Sequence, residues 1–356
     1  MKILYIFSNF HLANTTGQGG LVMQLIKKTK QTSYRVSVIS NNQLRSDRFI
    51  KNDINYYLIK GLGNFKTYLI NIFQVISFIK QIKPHSISVN GILMTVYVWF
   101  INKLFHKPLF SLVTETIDHV HPFYRKLFYL ASRDCQQIFV TAQFLRKQLM
   151  KIGVEKNKIK IVRIGLDEQY LKPRNIKENI DVLYFGDSNH NRGFDLVVKL
   201  AEKLNKLKFL ISIRYQDKDC QNEVALAKKL ANVNLMFYPY KESLQSIIAR
   251  SKLVILPYRW MLIRPPISLL EPLALGKCVI TSSLAGNREI VKNNYNGLIV
   301  DFNNLNKIAE TLSLLVKNKK IRNRLEEAAR KTMQAMYQTK EYSKIIDYYA
   351  LEKPSK

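Results

Sequence analysis

Three stretches of this 356-residue chain carry side chains that could do chemistry. In Pro265 to Ile290 a single carboxylate, Glu271, sits in an otherwise apolar run that ends at Gly276. A charge among apolar neighbours costs several kcal/mol unless it is paired or meets a ligand. The run enters through Pro265-Pro266-Ile267-Ser268; proline suits a first helical turn and serine an N-cap. The amides of Ile267, Ser268, Leu269 and Leu270 would then face an anion such as phosphate. Glu271, one turn in, could accept both hydroxyls of a ribose. The structural alternative, a first-turn Glu meeting the helix dipole, fits less well with apolar residues on both sides. Arg259 and Arg264 just upstream add positive charge.

The second stretch is Gly186-Asp187-Ser188-Asn189-His190-Asn191-Arg192-Gly193. Arg192 and Gly193 stand where a loop enters a helix. A guanidinium beside a helix N-terminus can give a diphosphate a bidentate hydrogen bond plus the dipole, and the glycine lets backbone approach. The alternative is a surface arginine in a strand-to-helix loop. The third stretch, Thr114 to Phe123 (TETIDHVHPF), gathers Glu115, Asp118, His119 and His121 just past a strand end. In open α/β sheets ligands bind there. Such groups serve as a general base or orient an acceptor hydroxyl; they equally describe a solvated loop. His119-x-His121 is weak as a metal pair.

The elements that must position these groups alternate strand and helix along the whole chain. Lys2 to Ser8 reads as a buried strand, Asn9 to Gly20 as a loop ending in Gly17-Gln18-Gly19-Gly20, and Leu21 to Thr29 as a helix before the strand Tyr34 to Ser40. This is a βαβ unit. Its glycines, Gly19 and Gly20 among them, serve a tight turn or an anion, and the spacing is not that of a dinucleotide fingerprint. The strand Asn55 to Ile59, helix Phe65 to Ile82, strand Ser86 to Val89, helix Ile92 to Phe105 and strand Leu109 to Val113 follow. A second series runs from Asp181 to Val300, then helices over Asn304 to Ala335 and Lys340 to Leu351. Tyr170 to Glu178, charged and containing Pro173, is the best linker. The expected architecture is two doubly wound, Rossmann-like α/β domains over 1–172 and 173–338, facing across a cleft, with 339–356 as a helix packing back on the first domain.

Lys+Arg is 56 against 26 for Asp+Glu, a net charge of +30, which calls for an anionic partner. Nucleic acid is one class of partner, but no helix-turn-helix or RNP-like segment is present, so none is expected. Cys135, Cys220 and Cys278 are widely separated, as in a reduced cytoplasmic protein. The start, MKILYIFSNF, lacks a signal-peptide cleavage site. The longest apolar run, Ile92 to Ile101, is about half of the roughly 20 residues that span a bilayer.

The segment SLLEPLALGKCVITSSLAGNREIV, followed by NGLIV, resembles the donor site of family-4 glycosyltransferases, retaining enzymes of GT-B fold. GQGG after the first strand, FVTAQFLRKQL with IVRIGLD, and LYFGDSNHNRGFD resemble other elements of that family. The resemblance implies transfer of a sugar from a nucleotide diphosphate sugar to an acceptor hydroxyl. It implies that Glu271 binds ribose, that Arg192 takes the family lysine position on the diphosphate, that Gly19 and Gly20 contact phosphate or sugar, and that Tyr240 lies beside the base. Two departures stand out. Ile263 occupies the place of the first Glu of the family's Glu-x7-Glu motif. Asp187 replaces an arginine, which weakens diphosphate binding unless Arg259 or Arg264 substitutes. No DxD-type pair is present, so neither metal nor cofactor is expected. Glu115, Asp118 and His119 are the catalytic candidates, with His119 shifted from the family histidine position. Lys27, Lys28, Lys30, Lys66, Lys80, Lys83, Lys103 and Lys107, interleaved with apolar residues, suit a glycan or lipid-linked acceptor and the anionic inner face of a cell membrane. A GT-B protein that binds nucleotide-sugars without transferring them, or an epimerase of that fold, would share these features.

Overall fold

The computed structural model describes residues 1–7, 18–32, 34–42, 47–60, 62, 65–163, 166, 168–172, 176–239, 242–338 and 341–350. The chain divides into two units, residues 1–165 with 340–356, and residues 166–339. Both are α/β, and each is built on a largely parallel sheet.

In the first unit the elements run β1 (Lys2–Phe7), α1 (Gln18–Lys30), β2 (Arg35–Asn42), β3 (Asp47–Lys51), β4 (Ile54–Lys60), α2 (Phe65–Ile82), β5 (Ser86–Asn90), α3 (Ile92–Asn102), β6 (Leu109–Val113), α4 (Pro122–Asp134), β7 (Cys135–Val140), α5 (Gln143–Lys151) and β8 (Ile159–Ile161). The sheet order is β3-β4-β2-β1-β5-β6-β7-β8. All neighbours are parallel except β3, which pairs antiparallel with β4. Strands such as β1 (KILYIF) are apolar on both faces because helices cover both sides of a parallel sheet. Ile3, Leu4 and Ile6 are wholly buried.

The second unit runs β9 (Ile180–Ser188), α6 (Phe194–Lys203), β10 (Phe209–Gln216), α7 (Gln221–Lys229), β11 (Val233–Phe237), α8 (Leu244–Ala249), β12 (Ser251–Leu256), α9 (Ile267–Ala274), β13 (Cys278–Thr281), α10 (Asn287–Ile290), β14 (Leu298–Ile299), α11 (Leu305–Lys317) and α12 (Lys319–Gln338). Its all-parallel sheet has the order β11-β10-β9-β12-β13-β14. The chain starts at β9, builds outward to β11, then returns to β12 on the other side. The C-terminal ends of β9 and β12 therefore flank a topological switch point, where open sheets leave a crevice.

The last helix, α13 (Glu341–Ala350), belongs to the first unit. Tyr349 is fully buried there, edge-on to Tyr5 and Phe110, and its hydroxyl lies 2.8 Å from Ser88 Oγ.

Three readings of the sequence change. The helical stretch Asn304 to Ala335 is two helices, because Asn318 ends α11 and its Oδ1 accepts the Ile321 amide at 3.0 Å to start α12. Between β6 and β7 the chain forms α4, with His121 as N-cap and Pro122 in the first turn. The stretch Tyr170 to Glu178 is not a plain linker. Tyr170 closes a short 3-10 turn, Glu168–Leu171, in the second unit. Glu178 is bound by Lys277 at 2.9 Å and by Arg322 at 3.6 Å. Among the described residues no helix is long and apolar enough to cross a membrane.

Candidate functional site

The switch point of the second sheet collects the charged groups of two sequence stretches. After β9 the chain makes a 3-10 turn over His190–Arg192, capped by Asn189, whose side chain accepts the Arg192 amide at 2.9 Å. Gly193 follows with φ 70, and a Cβ there would stand 2.1 Å from the Pro257 carbonyl oxygen. Only glycine lets this turn close against the end of β12. The turn sets Arg192 between Asp187 and the start of α9. Its Nη1 donates to Ser268 Oγ at 3.4 Å, its Nη2 lies 3.4 Å from Asp187 Oδ2, and its guanidinium sits 5.7 Å from the Tyr258 ring centroid.

Ser268 lies in the first turn of α9, whose N-cap is Pro266 and which no side chain caps. A helix start leaves its first amides without i−4 partners; here the Leu269 amide turns back to the Pro266 carbonyl at 3.0 Å, and the turn presents Ser268 Oγ, 2.7 Å from the Tyr258 hydroxyl. Burial pushes Tyr258 up to about 12, against the pull of Arg192, so its hydroxyl keeps its proton at neutral pH. Leu269 is fully buried beneath this turn.

Glu271 follows one turn on and is 5 % exposed. Burial pushes it up to about 7, although a hydrogen bond from Tyr170 and the charge of Arg214 pull the other way. A carboxyl poised near neutrality beside a helix start is suited to a ligand that offers it hydroxyl donors. Tyr170 escaped the sequence reading because its stretch has linker composition.

The remaining expected groups fall elsewhere. Arg264 is buried and its Nε donates to the Met261 carbonyl at 2.8 Å. Arg259 closes on Asp195 with Nη1 and Nη2 at 2.6 and 2.8 Å, and also donates to the His190 carbonyl. Neither stands at Asp187. The guanidinium there is that of Arg214 from β10, which sequence patterning does not single out: its Nε and Nη2 donate to Asp187 Oδ1 and Oδ2 at 3.0 and 2.9 Å. Ile263 carries no charge into the site. Tyr240 lies outside the described residues. Gly19 and Gly20 open α1 in the first unit.

The polar loop after β6 is held by helix ends. Glu115 Oε1 accepts the Ile92 amide at 2.8 Å, at the start of α3. Asp118 Oδ1 accepts from Gln148 Nε2 at 2.9 Å. His121 Nδ1 accepts the Phe123 amide and caps α4, which is a structural duty rather than a metal ligand's. His119 is exposed. Among the described residues one group, His190, Asp219 and Cys220, has ligand atoms within 4.8 Å of one another in the way a cation needs; His190 and Asp219 are exposed and Cys220 is buried.

The two Rossmann-like units, the second with a guanidinium, a helix start that no side chain caps and a buried carboxyl at its switch point, make up a GT-B fold. Residues 167–332, nearly all of the second unit, match the family described as glycosyl transferases group 1, so this unit carries a glycosyltransferase domain of that group. The fold as a whole is similar to the crystal structure of Anabaena HepE in complex with UDP, with a TM-score of 0.78 at 12% identity over 99% of this chain and 100% of that one. It is also similar to sucrose-phosphate synthase from Thermosynechococcus elongatus, with a TM-score of 0.83 at 13% identity over 98% of both chains. In sequence it is 23% identical over 265 residues to an uncharacterized 41.2 kDa protein in the cps region of Klebsiella pneumoniae, 69% of this chain and 70% of that protein.

Proposed function

We propose that the chain transfers a sugar, with retention of configuration, from a nucleoside diphosphate sugar to a hydroxyl of a glycan or lipid-linked acceptor. The observation that carries this reading is the buried Glu271 carboxyl one turn into the uncapped helix α9, beside Arg192 and Ser268. The ribose hydroxyls would donate to Glu271. The diphosphate would take hydrogen bonds from Arg192, Ser268 and the first-turn amides of α9. The hard step is departure of the nucleoside diphosphate, and positive groups already aimed at it lower that barrier without reorganisation. The leaving oxygen's charge is met by protein groups alone, so the reaction as read calls for no metal.

The Anabaena neighbour's complex with UDP makes a uridine nucleotide the first donor to test. The relative from a cps region favours assembly of a surface polysaccharide. Peripheral attachment to the inner face of the cell membrane would follow from the first unit's surface. Phe100 and Leu104 are exposed at the end of α3 and just beyond it, flanking Lys103, which pairs with Asp134, and Phe123 is exposed at the start of α4; apolar side chains near lysines suit an anionic lipid surface. Glu115, Asp118 and His119 remain the groups proposed to attend the acceptor, Asp118 and His119 both exposed to solvent.

The test is a thermal-shift and calorimetric panel of UDP-, GDP- and ADP-sugars on the wild-type chain and on Glu271→Ala. Stabilisation by one of these donors, lost in the variant, is the expected outcome. A chain that none of them stabilises would end the reading.

A further inference from the structure

Strands β9 and β10 pair in register from Phe209↔Val182 to Ile213↔Gly186, but the next pair is Gln216↔Ser188. Three residues on β10 therefore span two on β9, which is a bulge at Arg214-Tyr215. A bulge bends its strand and re-aims a side chain at the end of a sheet. Here it brings Arg214 against Asp187, at the C-terminal edge where the crevice lies. The contact is bidentate, at 3.0 and 2.9 Å, the planar geometry that fixes a guanidinium most firmly. Asp187 Oδ2 is also 3.4 Å from Arg192 Nη2. One carboxylate thus holds two guanidiniums side by side, and the group keeps a net positive charge.

The burial of the three side chains differs in a telling way. Asp187 is 14% exposed and Arg192 17%, whereas Arg214 is 35% exposed. The carboxylate is turned into the protein and the Arg214 guanidinium outward. Alone at the switch point, Asp187 would repel a phosphate. Between two arginines it is neutralised and becomes a fixed anchor for both. The cluster is continuous with the rest of the site: Arg192 reaches Ser268 at the start of α9, and the Arg214 charge is felt at Glu271. The other two arginines near the crevice bond away from Asp187, Arg259 to Asp195 and the His190 carbonyl and Arg264 to the Met261 carbonyl.

We propose that Arg214 is a second diphosphate-binding residue, paired with Arg192, and that Asp187 is the positioning residue that holds the two guanidiniums side by side. This assignment rests on the donor-binding reading above. It makes the charge that receives the leaving diphosphate a shared product of two neighbouring strands. A donor's pyrophosphate would lie across both guanidiniums, with the nucleoside end toward Glu271.

Calorimetric titration of UDP, GDP and ADP, with ligand-observed NMR of the matching nucleosides, tests it on the full chain. For whichever diphosphate the wild type binds, Arg214→Ala should lose at least tenfold in affinity and much of the salt dependence, while nucleoside binding stays within twofold. Arg214→Lys should fall between, since it keeps the charge and loses the fork. If Arg214→Ala does not fold, Arg214→Gln, which can still bond Asp187, is judged by the same criterion. Unchanged diphosphate affinity in the folded variant overturns the assignment and leaves the donor reading standing. Equal losses of diphosphate and nucleoside would mean that Arg214 only maintains the fold, and would overturn it too. A wild-type chain that binds none of the three diphosphates overturns the donor reading and this assignment with it.

Discussion

Arg259 closes on Asp195 from above the start of α6, with both terminal guanidinium nitrogens within 2.8 Å of the carboxylate oxygens. Asp195 is 6% exposed and Arg259 43%. Burial is the largest single influence and tends to raise Asp195, but the hydrogen bonds and charge of Arg259, together with those of His190, outweigh it and hold the group below the usual carboxylate range. The pair ties the His190–Arg192 turn to the chain after β12, because Arg259 also holds the His190 carbonyl. We therefore expect Arg259→Ala to lower the unfolding midpoint, by about 1–3 kcal/mol for a buried carboxylate left short of its partner. It should leave nucleoside diphosphate affinity within about threefold, since its terminal nitrogens are turned to Asp195 and the His190 carbonyl and not to the Asp187–Arg192 cluster. A large loss of affinity with unchanged stability would reverse that assignment.

Glu271 ties stability to pH. Its ordinary value of 4.5 is raised to about 7 in the folded chain, first of all by burial. Between these values the folded chain keeps a proton that the unfolded chain has released. Stability therefore falls as pH rises through this window, and the penalty is complete above it. At about 1.4 kcal/mol per pH unit the cost is roughly 3 kcal/mol. Glu271→Gln should then be more stable than the wild type in urea at pH 8, and the two should converge toward pH 5. A pH-independent difference would contradict the buried-charge account.

The same carboxyl predicts proton release on nucleotide binding. Ribose hydroxyls donate to the ionised form and so pull its pKa down. Near pH 6.5, uridine titrations, free of the terminal phosphate that itself titrates in this range, should show a net proton leaving the wild-type complex and none leaving Glu271→Gln when run in buffers of different ionisation enthalpy. Equal heats in the two buffers for the wild type would remove Glu271 from contact with the ribose.

Much of the fold is legible in the sequence because parallel strands buried on both faces read as short unbroken apolar runs. LFSLV is one such run, and the limits of β6 coincide with it. The antiparallel edge strand β3, DRFIK, is not legible, since its charges read as loop and its partner is β4 alone. Nor is α4, which buries only Phe128, Ala131 and Ser132 and so leaves a weak apolar stripe. At the site, Glu271 and Arg192 stand out by local type: a charge in an apolar run and an arginine before a glycine. Arg214 and Tyr170 do not. Arg214 reaches Asp187, 27 residues away, only through strand pairing and a bulge. Tyr170 meets Glu271 from a stretch whose charge and proline read as connection. Pairings of this kind are tertiary, and no periodicity in one segment encodes them.

Gly193 offers a sharper test of how the loop is built. Alanine would have to adopt φ near 70 and place its Cβ 2.1 Å from a backbone oxygen that cannot turn aside. The left-handed backbone alone costs on the order of 1–3 kcal/mol, and the clash adds to it. Gly193→Ala should lower the midpoint and also weaken diphosphate binding, because Arg192 is the preceding residue and moves with the turn. Loss of stability without loss of binding would show that Arg192 is positioned by something other than this turn.

The last helix is fastened by Tyr349. Its ring is fully buried between Tyr5 and Phe110, and its hydroxyl meets Ser88 across 261 residues of chain. Two substitutions separate the ring from the hydroxyl. Tyr349→Phe keeps the ring packing and leaves Ser88 with one fewer partner, a cost of about 1 kcal/mol. Tyr349→Ala empties the space between two aromatic rings and should cost about 3–5 kcal/mol. Hydrogen exchange is expected to show the consequence in β1, β5 and β6, whose Tyr5, Ser88 and Phe110 line that space, while the sheet of the second unit keeps its protection. Exchange that rises equally in β9 and β12 would mean that α13 stabilises the chain as a whole rather than the first unit's sheet.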